Sequence, residues 1–218
     1  MEEHGIKGAI FDLDGTLLDS LGVWGDVDRR FFERRGLSMP ADYQALIKGL
    51  SFIDTARFTK RLLGLDESPE EIAMEWHRDV IDEYALSVPL KPGAGEYLQA
   101  LSDSGVKLAV ATTSREELFV PCLKRNKVYR LFSAFATTDE TGEHKSTGRV
   151  YRLAAERLGL EPGDCAVFED ILSGITGAKK AGFGTVCVYD PVNRDEWEAL
   201  KEVSDHSITS FERTRLWI

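Results

Sequence analysis

Ile6-Lys7-Gly8-Ala9-Ile10-Phe11-Asp12-Leu13-Asp14-Gly15-Thr16 is an apolar run that stops at two carboxylates two positions apart. A run that is continuously apolar, rather than alternating, suits a strand covered on both faces, as in a parallel sheet. Four more short apolar runs follow, at residues 106–111, 134–136, 165–168 and 185–189, and KLAVAT and CAVFED share the continuous character. Helical patterns separate these later runs. Val150, Leu153, Ala154, Arg157 and Leu158 recur at helical spacing ahead of Gly159. Ser114-Arg115-Glu116-Glu117 reads as a capping box, which predicts a helix beginning directly after the second strand with Ser114 as its cap. Strand and helix in alternation predict a doubly wound, Rossmann-like parallel α/β sheet.

Residues 18–89 break that alternation and contain no convincing strand. Ser68-Pro69-Glu70-Glu71 combines an N-cap, a proline at the first helical position and a capping glutamate. Behind it Ile72, Trp76, Val80 and Tyr84 recur every four residues, the signature of an amphipathic helix. Phe31-Phe32 and the series Phe52, Phe58, Leu62 suggest further helices. The expectation is an α/β core built from residues 1–17 and 90–218, with a helical module of residues 18–89 inserted behind the first strand.

The bulk composition narrows the partners. The chain has 218 residues, 43% apolar and 29% charged, with a net charge of −10. That is an ordinary globular composition with a real core. An acidic chain lacks the Lys/Arg patches that grip nucleic acid, so nucleic acid is not an expected partner. No run reaches the roughly 18 apolar residues of a membrane span. The three cysteines, Cys122, Cys165 and Cys187, are odd in number and widely spaced, which fits reduced, buried thiols in a cytoplasmic protein. Nothing in the pattern sets an oligomeric state.

In an open parallel sheet, ligands gather at the carboxyl ends of the strands. Four polar clusters fall at such ends. Asp12 and Asp14 follow the first strand, and adjacent carboxylates repel unless a cation sits between them. Thr112-Thr113-Ser114 follows the second, where hydroxyls and a helix N-terminus offer donors to an anion. Lys145 lies in the loop-to-helix stretch 142–149. Glu169 and Asp170 end the run CAVFED, and two acids ending a buried strand are costly without a cation.

This set resembles the haloacid dehalogenase-like hydrolases over nearly the whole chain. FDLDGTLLDS resembles that family's first motif, Thr112 its second, Lys145 its third and FEDILSGITGAKKAG its fourth; the helical insert resembles the family's cap domain. The resemblance implies a magnesium-dependent phosphatase acting on a small phosphorylated metabolite. Asp12 would be the nucleophile that becomes an aspartyl-phosphate, and Asp14 the general acid and base. Magnesium would be held by Asp12 and Asp170 through carboxylates and by Asp14 through its backbone carbonyl, with Glu169 in the outer shell. Thr112, with Thr113 beside it, and Lys145 would hold the phosphoryl oxygens. Ser114 and Arg115 are further candidates for substrate contact. Asp14 also argues against dehalogenation, and neither Lys48 nor Lys60 carries a sign of the desolvated lysine that phosphonate cleavage needs.

Two features depart from the family pattern. Relatives commonly read Lys-Pro-x-Pro-Asp at the third motif, whereas this chain reads Lys145-Ser146-Thr147-Gly148-Arg149, without the acid that normally tethers the lysine. β-Phosphoglucomutase-like relatives carry a cap histidine and arginine where this chain places Trp24 and Phe52, two rings that would instead offer stacking or apolar area as candidates for substrate contact. That weighs against a sugar-phosphate mutase, which stays as the alternative enzyme. A phosphometabolite-binding module without catalysis is the alternative of another class.

Overall fold

Strand β1 (Gly8–Phe11) is buried along its whole length in the computed structural model, which describes residues 5–47 and 52–214. It lies at the centre of a six-stranded sheet with β2 (Lys107–Thr112), β3 (Phe132–Thr137), β4 (Cys165–Glu169), β5 (Gly184–Val188) and β6 (His206–Ile208). The order is β3-β2-β1-β4-β5-β6 and every pair is parallel. This is the doubly wound architecture expected, with its chain reversal beside β1, where β2 lies on one side and β4 on the other.

Register explains why the runs are continuously apolar. Ile10 pairs with Ala109 and Val167, and Phe11 with Val110 and Phe168. Successive residues point to opposite faces. Ile10, Ala109 and Val167 therefore join one core cluster, with Val150, Tyr151 and Ala154 of helix α8 (Arg149–Leu158). On the other face Phe11 stacks on Phe168 with centroids 4.3 Å apart, and Tyr97 packs edge-on against Phe168. Both faces are covered, so neither could be polar.

The remaining helices follow chain order. Within residues 22–87 lie α1 (Val23–Arg34), α2 (Tyr43–Ile47), α3 (Phe52–Leu63) and α4 (Pro69–Leu86). Around the sheet lie α5 (Ala94–Asp103), α6 (Glu116–Arg125), α7 (Thr138–Thr141), α8, α9 (Leu172–Lys180) and α10 (Trp197–Val203). The chain divides into two compact units, one of Met1–Leu21 with Val88–Ile218, the other of Gly22–Ser87. At the junction Leu18 bridges antiparallel to Leu90, and Asp19 N–H donates to the Pro89 carbonyl, so the outgoing and returning chains run side by side.

The helical unit has its own core. Ser68 caps α4 in a complete capping box, and Ile72, Trp76, Val80 and Tyr84 form the buried stripe of that helix. Trp76 packs edge-on to Phe31, and Phe32 to Tyr43, at 5.2 and 5.0 Å between centroids. Arg34, the last residue of α1, and Arg35, its C-cap, reach Glu75 of α4, binding the two helices at their polar edge.

Three local expectations change. β6 was not foreseen, because three residues in a polar setting (Asp205-His206-Ser207-Ile208) carry no apolar run; it is a short edge strand. Helix α3 forms where the series Phe52, Phe58, Leu62 suggests a helix, but that series is not the face it buries. Its buried face is Thr55, Ala56 and Thr59, and the Thr59 hydroxyl contacts the Tyr43 hydroxyl at 2.6 Å. The helix after β2 starts at Glu116 with Arg115 as its uncapped N-cap, and Ser114 is drawn elsewhere.

Ser68 holds two orphan ends of α4 at once, its hydroxyl accepting the Glu71 N–H and the Glu71 carboxylate accepting the Ser68 N–H. Ser68→Ala should therefore destabilise the helical unit by about 1 kcal/mol. The check is chemical denaturation followed by far-UV circular dichroism.

Candidate active site

The three acids reach the site from the ends of β1 and β4. The Asp12 N–H donates to the Phe168 carbonyl across the β1–β4 seam, which carries Asp12 off the end of β1 beside Glu169 and Asp170. A carboxylate oxygen from each of Asp12, Glu169 and Asp170 lies within 4.8 Å of the others. All three are buried, at 4%, 0% and 1% exposure, so these acids are withdrawn from the solvent that would otherwise stabilise their charge.

Lys145 supplies one counter-charge. It sits in a single 3-10 turn ahead of α8 and is 5% exposed. Its Nζ lies 2.5 Å from Asp12 Oδ1 and 2.5 Å from Glu169 Oε1. Burial alone would lower its pKa, but the two carboxylates outweigh burial and hold Lys145 protonated, above its ordinary range. The missing acid of the third motif is thus compensated. Glu169 tethers the lysine, and Tyr151 O–H donates to the same Oε1 at 2.8 Å. Two glycines of α9 make room. A Cβ on Gly174 would stand 2.6 Å from the Glu169 carboxyl carbon, and one on Gly177 would meet the Lys145 backbone, 3.0 Å from its carbonyl carbon.

The carboxylates differ in what they have left to offer. Glu169 accepts from Lys145 and Tyr151 at Oε1 and from the Asp170 and Ile171 N–H groups at Oε2, which uses its four lone-pair directions. Asp170 accepts once at each oxygen, from Thr16 Oγ1 at 2.9 Å and from Asn193 Nδ2 at 2.6 Å. Asp170 therefore keeps a free lone pair on both. Burial, then the neighbouring Glu169, lifts the Asp170 carboxyl from its ordinary 3.8 to about 7. Burial also pushes Asp12 up, against the pull of Lys145. Three acids against one ammonium leave an excess of negative charge, and an all-oxygen donor set of this kind fits a hard divalent cation.

Asp14 is turned away from that cluster. Its Oδ1 accepts from the Ser20 hydroxyl at 2.7 Å and its Oδ2 from the Ser114 hydroxyl. This is why Ser114 does not cap α6: its hydroxyl is engaged by Asp14, and its N–H donates to Thr112 Oγ1 at 3.0 Å. Thr112 is fully buried at the tip of β2 and keeps its hydroxyl proton to donate. Thr113 and Arg115 are exposed, and Arg115 faces Asp139 at 3.7 Å and Glu117 at 4.0 Å. His144 is also exposed.

Trp24 and Phe52 meet within the helical unit, edge to face at 5.6 Å. They line a cavity of about 460 Å³ with Asp28, Gln44, Ile47, Thr55 and Trp76. Lys60 is spent on the carbonyls of Leu65, Asp66 and Glu67, and Lys48 lies outside the described residues.

Sequence reasoning missed Thr16, Ser20, Tyr151 and Asn193. Asn193 stands in the stretch Asp190-Pro191-Val192-Asn193 just past β5, where the strand-end rule could have found it. Tyr151 had no such signal, because it reads as one more apolar position of α8.

The family model of the haloacid dehalogenase-like hydrolases matches residues 6–182. A Bacillus subtilis protein provisionally named a phosphatase is 29% identical over 97% of this chain and 94% of its own. The phosphorylated carbohydrates phosphatase of Thermotoga maritima is 27% identical over 81% and 82%. A Thermotoga maritima crystal structure provisionally named a β-phosphoglucomutase superposes with a TM-score of 0.85 at 25% identity, covering 95% of this chain and 96% of that one.

Two outcomes follow from the cluster. Gly177→Ala forces backbone against backbone, so it should cost about 1–3 kcal/mol and displace Lys145, seen as a lower melting temperature. Without a cation, the folded state binds a proton on Asp170 more tightly than the unfolded chain does, so stability falls as pH rises from about 3.8 to about 7. A cation relieves that charge, so magnesium chloride should raise the melting temperature more at pH 8 than at pH 5. Thermal unfolding at both pH values, with magnesium or with chelator, measures the difference; equal gains would contradict it.

Proposed function

The chain belongs to the haloacid dehalogenase-like hydrolases, and we propose that it is a magnesium-dependent phosphatase that hydrolyses small phosphorylated metabolites of the sugar-phosphate class through an aspartyl-phosphate on Asp12. The observation that carries the reading is the buried group of Asp12, Lys145 and Asp170 with Asp14 held apart beside it. One acid is placed to attack and another to move a proton. The substrate class follows the named activity of the carbohydrate phosphatase relative.

In this reading an Asp12 carboxylate oxygen attacks phosphorus and the ester P–O bond breaks. Asp14 donates a proton to the departing alkoxide, then takes one from the water that attacks the aspartyl-phosphate, and Asp12 is released as the carboxylate. Ser20 and Ser114 suit this task, since both donate to Asp14 and fix where its proton is delivered. Lys145, Thr112 and the exposed Thr113 supply donors to the phosphoryl oxygens as charge redistributes. Asp12 and Asp170, which keep free lone pairs, would hold magnesium with the Asp14 backbone carbonyl, and Glu169, already saturated, positions Lys145. Magnesium would supply charge neutralisation that lets a carboxylate approach a phosphate dianion.

The mutase alternative is weaker. A mutase must grip a second phosphate, and Trp24 and Phe52 stand where β-phosphoglucomutase-like relatives carry a cap histidine and arginine. A binding module without turnover would have no need of Asp14 and its paired hydroxyls. Three buried free thiols suit a cytoplasmic site of action.

Wild-type protein with magnesium should release inorganic phosphate from a panel of sugar and polyol phosphates. Asp12→Asn should lower kcat by about 10⁴-fold or more while keeping the native circular dichroism spectrum. A folded Asp12→Asn protein with substantial turnover would remove Asp12 as nucleophile.

A further inference from the structure

The cavity of the helical unit sets a buried carboxylate behind aromatic walls, and the catalytic reading leaves it without a task. Asp28 is 6% exposed and its Oδ2 accepts from Gln44 Nε2 at 2.8 Å. No ion pair reaches Asp28 among the described residues. The guanidinium groups nearby in sequence serve other acids: Arg29 pairs with Asp26 and Glu33, Arg30 with Glu83, Arg34 with Glu75 and Asp79, and Arg57 with Asp54. Burial lifts the Asp28 carboxyl to about 6, so it still carries charge at neutral pH.

The walls add to this. Trp24 and Phe52 remain 42% and 41% exposed, unusual for rings of that size. Their planes cross at 74°, and Phe52 and Trp76 cross at 56°. Rings at such angles do not form a flat platform for a planar ligand. All three rings line the cavity, so a compact group inside it meets aromatic surface from more than one side. An aromatic enclosure attracts cations through the ring quadrupoles, and a buried carboxylate without a counter-ion attracts them by charge. A neutral hydroxyl would leave that charge unmatched, and an anion would be repelled.

We propose that this cavity is a binding site for an organic ammonium group, with Asp28 Oδ1 accepting its N–H and the rings of Trp24, Phe52 and Trp76 enclosing its charge. This goes beyond the phosphatase reading and does not depend on it. The test is isothermal titration calorimetry of the full chain at pH 7.5 with cyclohexylammonium and with cyclohexanol, its neutral counterpart of similar shape. The ammonium should bind at least about tenfold more tightly than the alcohol. Asp28→Asn should bring the two affinities together. Trp24→Ala, at an exposed position with little bearing on folding, should weaken ammonium binding about threefold or more. Equal affinities, binding of neither compound, or ammonium binding unchanged in both variants would overturn the proposal. Phosphate release is not read in this experiment, so a failure of the catalytic reading would show separately.

Discussion

Lys145 between Asp12 and Glu169 is the contact on which the α/β unit is organised. An ammonium and two carboxylates at 2.5 Å, with almost no solvent access, are costly to desolvate. They persist because the remaining acceptor sites of Glu169 are filled by Tyr151 and two backbone N–H groups. Removing Lys145 would leave two carboxylates without their counter-charge in the interior. The cluster therefore constrains everything that touches it: the turn before α8, the tip of β4 and the close approach of α9.

That approach explains the glycines of α9. Gly174 and Gly177 lie where a methyl group would press on the Glu169 carboxyl and on the backbone that carries Lys145. Helix, turn and strand tip are brought together by small residues, and the charges are brought together by that packing. The sheet supplies the other half. Because β1 and β4 pair in parallel register, Phe11 beside Phe168, the residues that follow them emerge at the same height and form one acidic pocket.

The helical unit is held differently. Its core is aromatic, built from Phe31, Phe32, Tyr43 and Trp76, and its edge is laced by arginine–carboxylate pairs. The solvent-exposed pairs of this unit, such as Arg29 with Asp26 and Glu33, contribute little each, about 0–1 kcal/mol. Against that background Asp28 stands out as a buried carboxylate without an ionic partner among the described residues, and Trp24 and Phe52 beside it have kept much of their surface open.

Sequence by itself determined the parallel α/β core, the helical insertion, the α4 capping box and the acids at the strand ends, because each is written in local periodicity or in short-range spacing. Asp12, Asp14, Thr112, Glu169 and Asp170 were legible as residues following apolar runs, and Lys145 only through the resemblance of its loop-to-helix stretch to the family's third motif. Tertiary structure alone decided their partners. That Glu169 replaces the absent loop acid as tether for Lys145, that Ser114 turns to Asp14 instead of capping α6, and that Asn193 reaches Asp170 are contacts between residues 23 to 100 positions apart. Local pattern reports which side chains can hydrogen-bond, but a hydroxyl or carboxylate with several possible partners takes the one that packing brings within reach.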